Sequence, residues 1–473
     1  MSIVIISDWA IEYKNNLFNR LWQKRTGPSR HGKGFVMKRN KITRRQFIRG
    51  TGAAMGALAF PSIIPSRALG KAGSIAPSNR IVMGAIGVGS MGTGDMVGLM
   101  RKEGVQMMAV CDVDKNHRDR AKNHCNNHYK NKDCQAYLDF RELLARSDID
   151  AVCTALPDHW HGVICEAIAK AGKDIYGQKP LARTIKEGRA ICNAVHKYGC
   201  VWQTGSWQRS VGHFHRACEL VRNGRIGKIL QVEVGLPTGR GTQNFKPIPV
   251  PANLDWDWWL GPAPWREYSN FGNGSCHWHW RWIMDYSGGQ LTDWAGHHID
   301  IAHWGIGADE TGPVEIYNAK GDYPSDGLYN VPSSYKFNCK YANGITMTVA
   351  NNQQTSRGMG AKWIGEKGWI HTNRGGLWAS DPKILKEVIG PDEIQLYRSN
   401  DHYQNFIDCI RTRKQTITPV EYAHRSISVG LLGEIAMLTG RNLKWDPEKE
   451  QFLNDEGANR LLARPMRKPW SLT

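Results

Sequence analysis

Long apolar runs are missing from this 473-residue chain, and with them any stretch of the roughly 20 apolar residues that a membrane-spanning helix requires. Internal repeats and coiled-coil heptads are absent as well. There is no Cys-x-x-Cys pair among the eleven cysteines, an odd number, and several sit in apolar runs such as "MMAVCD" (Cys111) and "AVCTAL" (Cys153). That usage points to buried single thiols rather than a disulfide framework, and to folding in a reducing compartment. Acidic residues are scarce at the start: residues 1 to 72 hold fourteen Lys and Arg against only Asp8 and Glu12, so twelve of the nineteen net positive charges lie there. The remaining excess is mild. Without a basic helix or an aromatic-basic ladder in the body, nucleic acid is excluded as the main ligand.

The basic start has a pattern of its own. Arg44-Arg45-Gln46-Phe47-Ile48 follows Thr43 and precedes Gly52 to Ile64, apolar but too short and Gly-rich to span a bilayer. Ala68-Leu69-Gly70 then offers small residues for a signal peptidase. Residues 37 to 70 resemble a twin-arginine signal cleaved after Gly70. Residues 1 to 36 precede a good basic start at Met37 and are expected to be a gene-model extension. The expectation is export of a folded protein by the twin-arginine translocase to the periplasm or another extracytoplasmic space, with no integral membrane segment in the mature form.

The body begins as strand, Gly-rich turn and helix. An apolar run from Ile81 to Ile86 leads into Gly87-Val88-Gly89-Ser90-Met91-Gly92, and a second run, "VQMMAVCDVD", reaches Asp112 twenty residues past Gly92. GxGxxG alone is weak; with both strands, the helix and an acid at this distance it predicts a dinucleotide site, the glycines admitting a pyrophosphate to a helix N-terminus. Asp112 would bond the adenosine ribose hydroxyls and repel a 2′-phosphate, which favours NAD over NADP. Strands and helices alternate to about Gly205, predicting a doubly wound α/β domain over 78–205. From 206 to 445, β-rich runs with Asn-Gly and Lys-Gly turns predict an α+β domain with a large, mostly antiparallel open sheet, carrying helices over His402 to Arg411 and Glu421 to Leu438. Residues 446–473 read as a tail.

"YGQKPLA" (Tyr176 to Ala182) and "SGGQLTDWAGHHID" (Ser287 to Asp300) complete a resemblance. With the glycine turn, the chain resembles the Gfo/Idh/MocA oxidoreductases, whose pattern is GxGxxG, a Glu-Lys-Pro turn, then Gly-Gly-x-x-x-Asp-x-x-x-His. The resemblance implies a catalytic Lys179 with Asp293 and His297 as partners. It implies a cofactor wall of Leu156, Pro157, Asp158 and His161, joined by Gln178 and Gln208, and a homo-oligomer. Gln178 stands where the family has Glu, keeping an amide for the nicotinamide ribose but removing a charge from beside Lys179; Ala295 stands where Gly is common.

Physical chemistry agrees. On a regular helix Asp293 and His297, four apart, share one face, so the carboxylate can orient the imidazole. Oxidising a secondary alcohol needs a base for the O–H proton, and Lys179 or His297 can take that role. Nine of the nineteen Trp lie between Trp256 and Trp304, and their flat faces suit sugar C–H groups. His277, His279, Arg281, Trp282 and His298 are the candidate substrate residues. A rival reading joins His277 and His279 to Asp293, His297 and His298 as metal ligands; no metal is the expectation, because the family pattern accounts for Asp293 and His297.

Outside the inner membrane no NAD pool exists, so an exported enzyme must carry its cofactor and regenerate it. That narrows the expected chemistry to a sugar oxidoreductase with recycled cofactor, or to a redox-neutral NAD-dependent glycosidase that oxidises a sugar transiently; both exist among exported family members. A non-catalytic sugar-binding protein is the reading outside enzymes.

Overall fold

The computed structural model describes residues 79–241, 246–269 and 276–472; the expected extension and signal, 1–70, lie outside them. Six parallel strands form the first sheet: β1 (Ile81–Ile86), β2 (Val105–Cys111), β3 (Gln135–Tyr137), β4 (Ala151–Thr154), β5 (Asp174–Gly177) and β6 (Trp202–Thr204). Their spatial order is β3-β2-β1-β4-β5-β6, the doubly wound order in which ligands bind where β1 and β4 part. Helices α1 (Ser90–Met100), α2 (Lys115–Tyr129), α3 (Phe140–Leu144), α4 (Asp158–Lys170) and α5 (Ile185–Tyr198) connect them. β4 is buried throughout and β1 nearly so, as strands covered on both faces must be. The elements start on local signals: Asp114 caps α2 through the Asn116 and His117 amides, and Thr184 caps α5 through Glu187 while Gly199 ends it in the left-handed conformation.

The second domain follows α6 (Gly212–Arg222) and is built on nine strands: β7 (Ile229–Leu236), β8 (Glu315–Asp322), β9 (Ser334–Lys340), β10 (Thr346–Asn351), β11 (Gly360–Gly365), β12 (Gly368–Asn373), β13 (Gly376–Ala379), β14 (Leu443–Asp446) and β15 (Gln451–Phe452). Their order is β13-β12-β11-β7-β10-β9-β8-β14-β15. Every pair is antiparallel except β7 with β10, as the β-rich runs predict. Short helices α7 (Trp256–Leu260), α8 (Cys276–His279), α9 (Gly289–Trp294) and α10 (Asp300–Ile306) lie between β7 and β8, and α11 (His402–Thr412) and α12 (Val420–Thr439) come late. The late helices match the predicted spans to within a residue or two.

One apolar cluster runs through both domains, and buried polar pairs pin the seam. Arg183 forks onto Glu434 of α12 at 2.8 and 3.0 Å, and the Thr204 amide donates to the Thr418 hydroxyl. The expected tail over 446–473 is instead packed structure: β15 and α13 (Glu456–Arg460) form, Arg464 pairs with Glu187 at 2.7 Å, and Trp470 lies edge-on to Trp160. Its apolar residues, spaced irregularly, give no periodic signal yet cover α4. All eleven cysteines are unpaired and ten are buried, as their apolar settings predict. No helix among the described residues is long and apolar enough to cross a membrane.

Candidate active site

At the C-terminal ends of β1, β2 and β4 a cavity of about 390 Å³ runs from the glycine turn to Lys179 and Asp293. The three glycines do different work. Gly87 has φ +76°, and a Cβ there would stand 2.4 Å from the Ala155 carbonyl; a Cβ at Gly92 would stand 1.8 Å from the Gly87 carbonyl. Both are demanded by the turn itself. Gly89 meets nothing closer than His117 at 3.7 Å and lines the cavity, so its missing side chain leaves room for a ligand. It is also the N-cap of α1 and offers no side-chain cap, which leaves the first amides of α1, where Ser90, Met91 and Gly92 line the cavity, to an anion. Asp112 is aimed by two backbone donors, Val88 N at 2.8 Å and Asp114 N at 2.9 Å. A glycine cradle, uncapped amides and an oriented acid fit a nicotinamide dinucleotide.

The other end is built across the seam. Lys179 Nζ donates to Asp293 Oδ1 at 2.8 Å, and Arg281 Nε lies 3.6 Å from the same oxygen. Burial pushes the Asp293 carboxyl up, but the Lys179 and Arg281 charges outweigh it and hold the group below its ordinary value. Asp293 is therefore ionised. Gly296 packs on Lys179, where a Cβ would come within 2.9 Å of the lysine Cβ.

His297 does not pair with Asp293. The chain turns as a single π-helical segment over Ala295–Ile299, which shifts the i, i+4 register that a regular helix would keep. His297 Nδ1 has no hydrogen-bond partner among the described residues. Burial, then the Lys179 and Arg374 charges, hold its proton affinity far below the ordinary value, so the imidazole is neutral. Of the two candidate bases, Lys179 lines the cavity and His297 does not.

Several cofactor and substrate assignments move. Leu156, Pro157 and Gln178 line the cavity, but Asp158 turns to the Ser287 hydroxyl at 2.7 Å, and both His161 nitrogens face backbone carbonyls; these two support the wall from behind. The Gln178 amide donates to Asp95 of α1 at 2.8 Å, and the Tyr403 hydroxyl donates to the other Asp95 oxygen at 2.8 Å. A buried carboxyl one layer away thus stands where a Glu beside Lys179 would carry its charge. Gln208 props the site instead of the cofactor: its amide reaches the His297 carbonyl and His298 Nδ1, each at 3.3 Å. His298 is fully buried and behind the site. His277 lines the cavity at its adenosine end, bonded to Asp114 at 3.0 Å. His279 faces the Tyr329 hydroxyl and Trp282 is core; neither lines the cavity.

Most of the Trp run is likewise packing. Trp256, Trp259, Trp280, Trp282 and Trp304 are buried, and the first four form a small separate core with Tyr268 and Tyr286. Trp258, Trp259, Trp278 and Trp280 reach the cavity wall. The five residues of the metal reading do not converge. Among the described residues the one grouping of ligand type is Asp114, His117 and His277, where both Asp114 oxygens are already taken by the Asn116, His117, Asn253 and His277 donors.

Comparison with known proteins follows this geometry. The oxidoreductase-family profile for the NAD-binding Rossmann fold matches residues 81–206, and that for its C-terminal α/β domain matches residues 213–472. A glycosyl hydrolase family 109 protein of Shewanella sp. strain MR-4 is 33% identical over 163 residues, 31% of this chain and 36% of the relative. An α-N-acetylgalactosaminidase of Shewanella oneidensis is 32% identical over the same shares, so the match spans about a third of these relatives' length. The Bacillus subtilis oxidoreductase YrbE is 25% identical over 59% of this chain and 70% of its own. In fold, the WlbA dehydrogenase of Bordetella pertussis, solved with NADH and UDP-GlcNAcA, aligns over 78% of this chain and 99% of its own at TM-score 0.58 and 15% identity. The aldose-aldose oxidoreductase of Caulobacter crescentus aligns over 77% and 99% at TM-score 0.55 and 19% identity. With both domains matched in order across the described body, the chain belongs to the Gfo/Idh/MocA oxidoreductase family.

Proposed function

We propose that this protein is an NAD-dependent oxidoreductase acting on a sugar, exported with its cofactor bound and recycled within each cycle. The observation that carries the reading is the Lys179–Asp293 pair at 2.8 Å, closing a cavity whose far end is the glycine cradle and Asp112. When bound there, nicotinamide supplies a hydride acceptor. Lys179 exchanges a proton with the substrate hydroxyl as charge develops on oxygen, and Asp293 keeps the ammonium in place and neutralises it. Proton transfer of this kind is worth about 10²–10⁴-fold. His297, neutral and buried, lies outside the cavity wall and takes no part in the proton transfer. Asp112 favours NAD over a 2′-phosphorylated cofactor, although His117 and Arg120 line the same end and Asp112 raises His117's proton affinity against the effect of burial.

A second reading, a redox-neutral NAD-dependent glycosidase, draws support from the relatives named as family 109 hydrolases. Protein purified without added nucleotide is expected to release NAD on denaturation, and its bound cofactor to change absorbance near 340 nm when sugars are added. Aglycone release from aryl glycosides without added NAD, lost in Lys179→Ala, selects the glycosidase. Protein that is empty and cannot be loaded refutes both readings, and Lys179→Ala indistinguishable from wild type in every turnover assay leaves a sugar-binding protein.

A further inference from the structure

Around the reacting end of the cavity three cations, Lys179, Arg281 and Arg374, face two acids, Asp293 and, one layer behind, Asp95. Lys179 and Arg281 share one oxygen of Asp293. A third cation, Arg374, comes from the turn between β12 and β13, about eighty residues downstream. Its guanidinium lies against two indole faces, 4.9 Å from the ring centre of Trp207 and 4.5 Å from that of Trp294. Trp294 is the residue after Asp293. Nε of Arg374 is spent on Gln208 Oε1 at 3.3 Å, the same Gln208 that props His297 and His298. Among the described residues no carboxylate lies within ion-pair distance of Arg374 and no hydrogen bond takes its two terminal nitrogens.

Arg281 is held in the same manner, 4.7 Å from the Trp278 ring and 4.4 Å from the Trp280 ring. Two guanidinium planes clamped on tryptophans thus flank the Lys179–Asp293 pair. Nε of Arg281 faces Asp293 and its Nη1 donates to the Trp278 carbonyl at 3.3 Å, whereas the terminal nitrogens of Arg374 stay open to an acceptor, a geometry suited to bidentate binding of an oxyanion. The neighbouring imidazoles do not change the balance, since His297 and His298 are both neutral. Asp158, a third acid nearby, is turned to Ser287 and largely protonated below neutral pH, burial raising it to about 7. An oxidised nicotinamide ring beside Lys179 would add a further positive charge. Arg374 is exposed, so its terminal nitrogens are open to an anion arriving from solution.

We infer that the substrate is an anionic sugar, its carboxylate, sulfate or phosphate held by the terminal nitrogens of Arg374 while a ring hydroxyl meets Lys179. This rests on the sugar oxidoreductase reading and names its substrate class. Arg374, which does not line the cavity itself but feels the Asp293 charge, is then a specificity residue beside the site, and Trp207, 39% exposed, is the platform that orients it.

The test uses holoprotein and matched pairs: D-glucuronate with D-glucose, D-galacturonate with D-galactose, and glucose 6-sulfate and glucose 6-phosphate with glucose. Binding is read by tryptophan fluorescence and turnover by the absorbance of bound cofactor. At least one anionic member is expected to bind about tenfold tighter than its neutral partner, the value of one charge-assisted hydrogen bond, and to weaken as salt rises. In Arg374→Gln that preference disappears through KM, the ratio of anionic to neutral KM moving to about one with kcat within a few-fold; Arg374→Lys keeps part of it. Which anion wins separates carboxylate from sulfate and phosphate. Neutral sugars that bind and react as well as every anion, with Arg374→Gln changing neither, overturn the inference and leave the oxidoreductase reading intact. If no member of either set, nor any aryl glycoside, perturbs the bound cofactor or the fluorescence, the sugar reading itself fails and this inference falls with it.

Discussion

Replacing Gly89 by alanine separates what the fold needs from what the ligand needs. At Gly89 the backbone has φ −64° and extended ψ, which any residue adopts, and an added Cβ meets no atom closer than 3.7 Å. Alanine there restricts the unfolded chain and is expected to stabilise the empty protein by about 0.4–1 kcal/mol, an increase on the order of 1–2 °C in a chain of this size. The same methyl enters the space a pyrophosphate must occupy. If the cofactor normally saturates the site at a hundred times its dissociation constant, losing it removes about 2.7 kcal/mol of linked stabilisation. The two effects have opposite signs, so Gly89→Ala should melt above wild type when both are stripped of nucleotide and below it when both are given NAD. Gly92→Ala is the control: its Cβ would lie 1.8 Å from a backbone oxygen, so it should be destabilised in both conditions. Differential scanning fluorimetry with and without NAD, together with chromatography of nucleotide released on denaturation, reads all three proteins. A Gly89→Ala protein that is purified with a full complement of cofactor would refute the assignment of this turn.

Further consequences follow from other contacts. Gly296→Ala forces a methyl within 2.9 Å of Lys179 Cβ and should lower kcat about tenfold or more with the cofactor still bound, checked by steady-state kinetics on protein with normal nucleotide content. Asp158 and Asp95 are raised to about 7 and about 6 by burial, their hydrogen bonds offsetting only part of it. Groups raised on folding stabilise the protein below their unfolded values and lose that contribution as pH climbs through the folded ones; buried neutral histidines such as His159, His298 and His402 act with the opposite sign, so the readout is the difference between proteins: Asp158→Asn should lose melting temperature relative to wild type least near pH 8 and most near pH 4. Glu434→Gln strands the buried Arg183 charge and should cost about 3–5 kcal/mol in denaturant titration, whereas Arg183→Met with Glu434→Leu should recover most of it.

What the sequence discloses is what depends on neighbours in the chain. The glycine turn and Asp112 are legible because a strand, a tight turn and a helix start impose local demands on each residue, and the late helices are legible from their periodicity. Asp293 and His297 are misread because spacing implies a regular helix, and nothing in "TDWAGHHID" marks the π-helical turn that separates them. The tryptophan run suggests sugar faces, yet most of those rings fill a small core, since composition does not tell which side of a ring faces protein. The stand-in for the missing charge at Gln178 comes from Asp95 and Tyr403, which lie 308 positions apart in the chain, and Arg374 joins Trp207 and Trp294 from a hairpin turn. Such groupings exist only after both sheets are assembled.

That assembly bears on how the reaction is controlled. Lys179 follows β5 at the C-terminal edge of the first sheet and Asp293 lies on a short helix of the second domain, so the ion pair proposed to do the chemistry is also a contact across the seam. Four residues after Lys179, Arg183 is locked to Glu434 and donates through Nε to the Met284 carbonyl at 2.9 Å, on the segment that leads into α9 and Asp293. The continuous apolar cluster and the packed C-terminal segment hold the same seam from further out. A hinge at this place would separate lysine from carboxylate at every opening, and the observed packing opposes one. Trp258, Trp259, Trp278 and Trp280 of the second domain line the same cavity as the glycine turn, so a dinucleotide filling it would touch both domains, and its departure would disturb the wall beside the Lys179–Asp293 pair. A fold tied together in this way favours keeping the cofactor and exchanging only the substrate, which is the arrangement that export with a recycled cofactor requires.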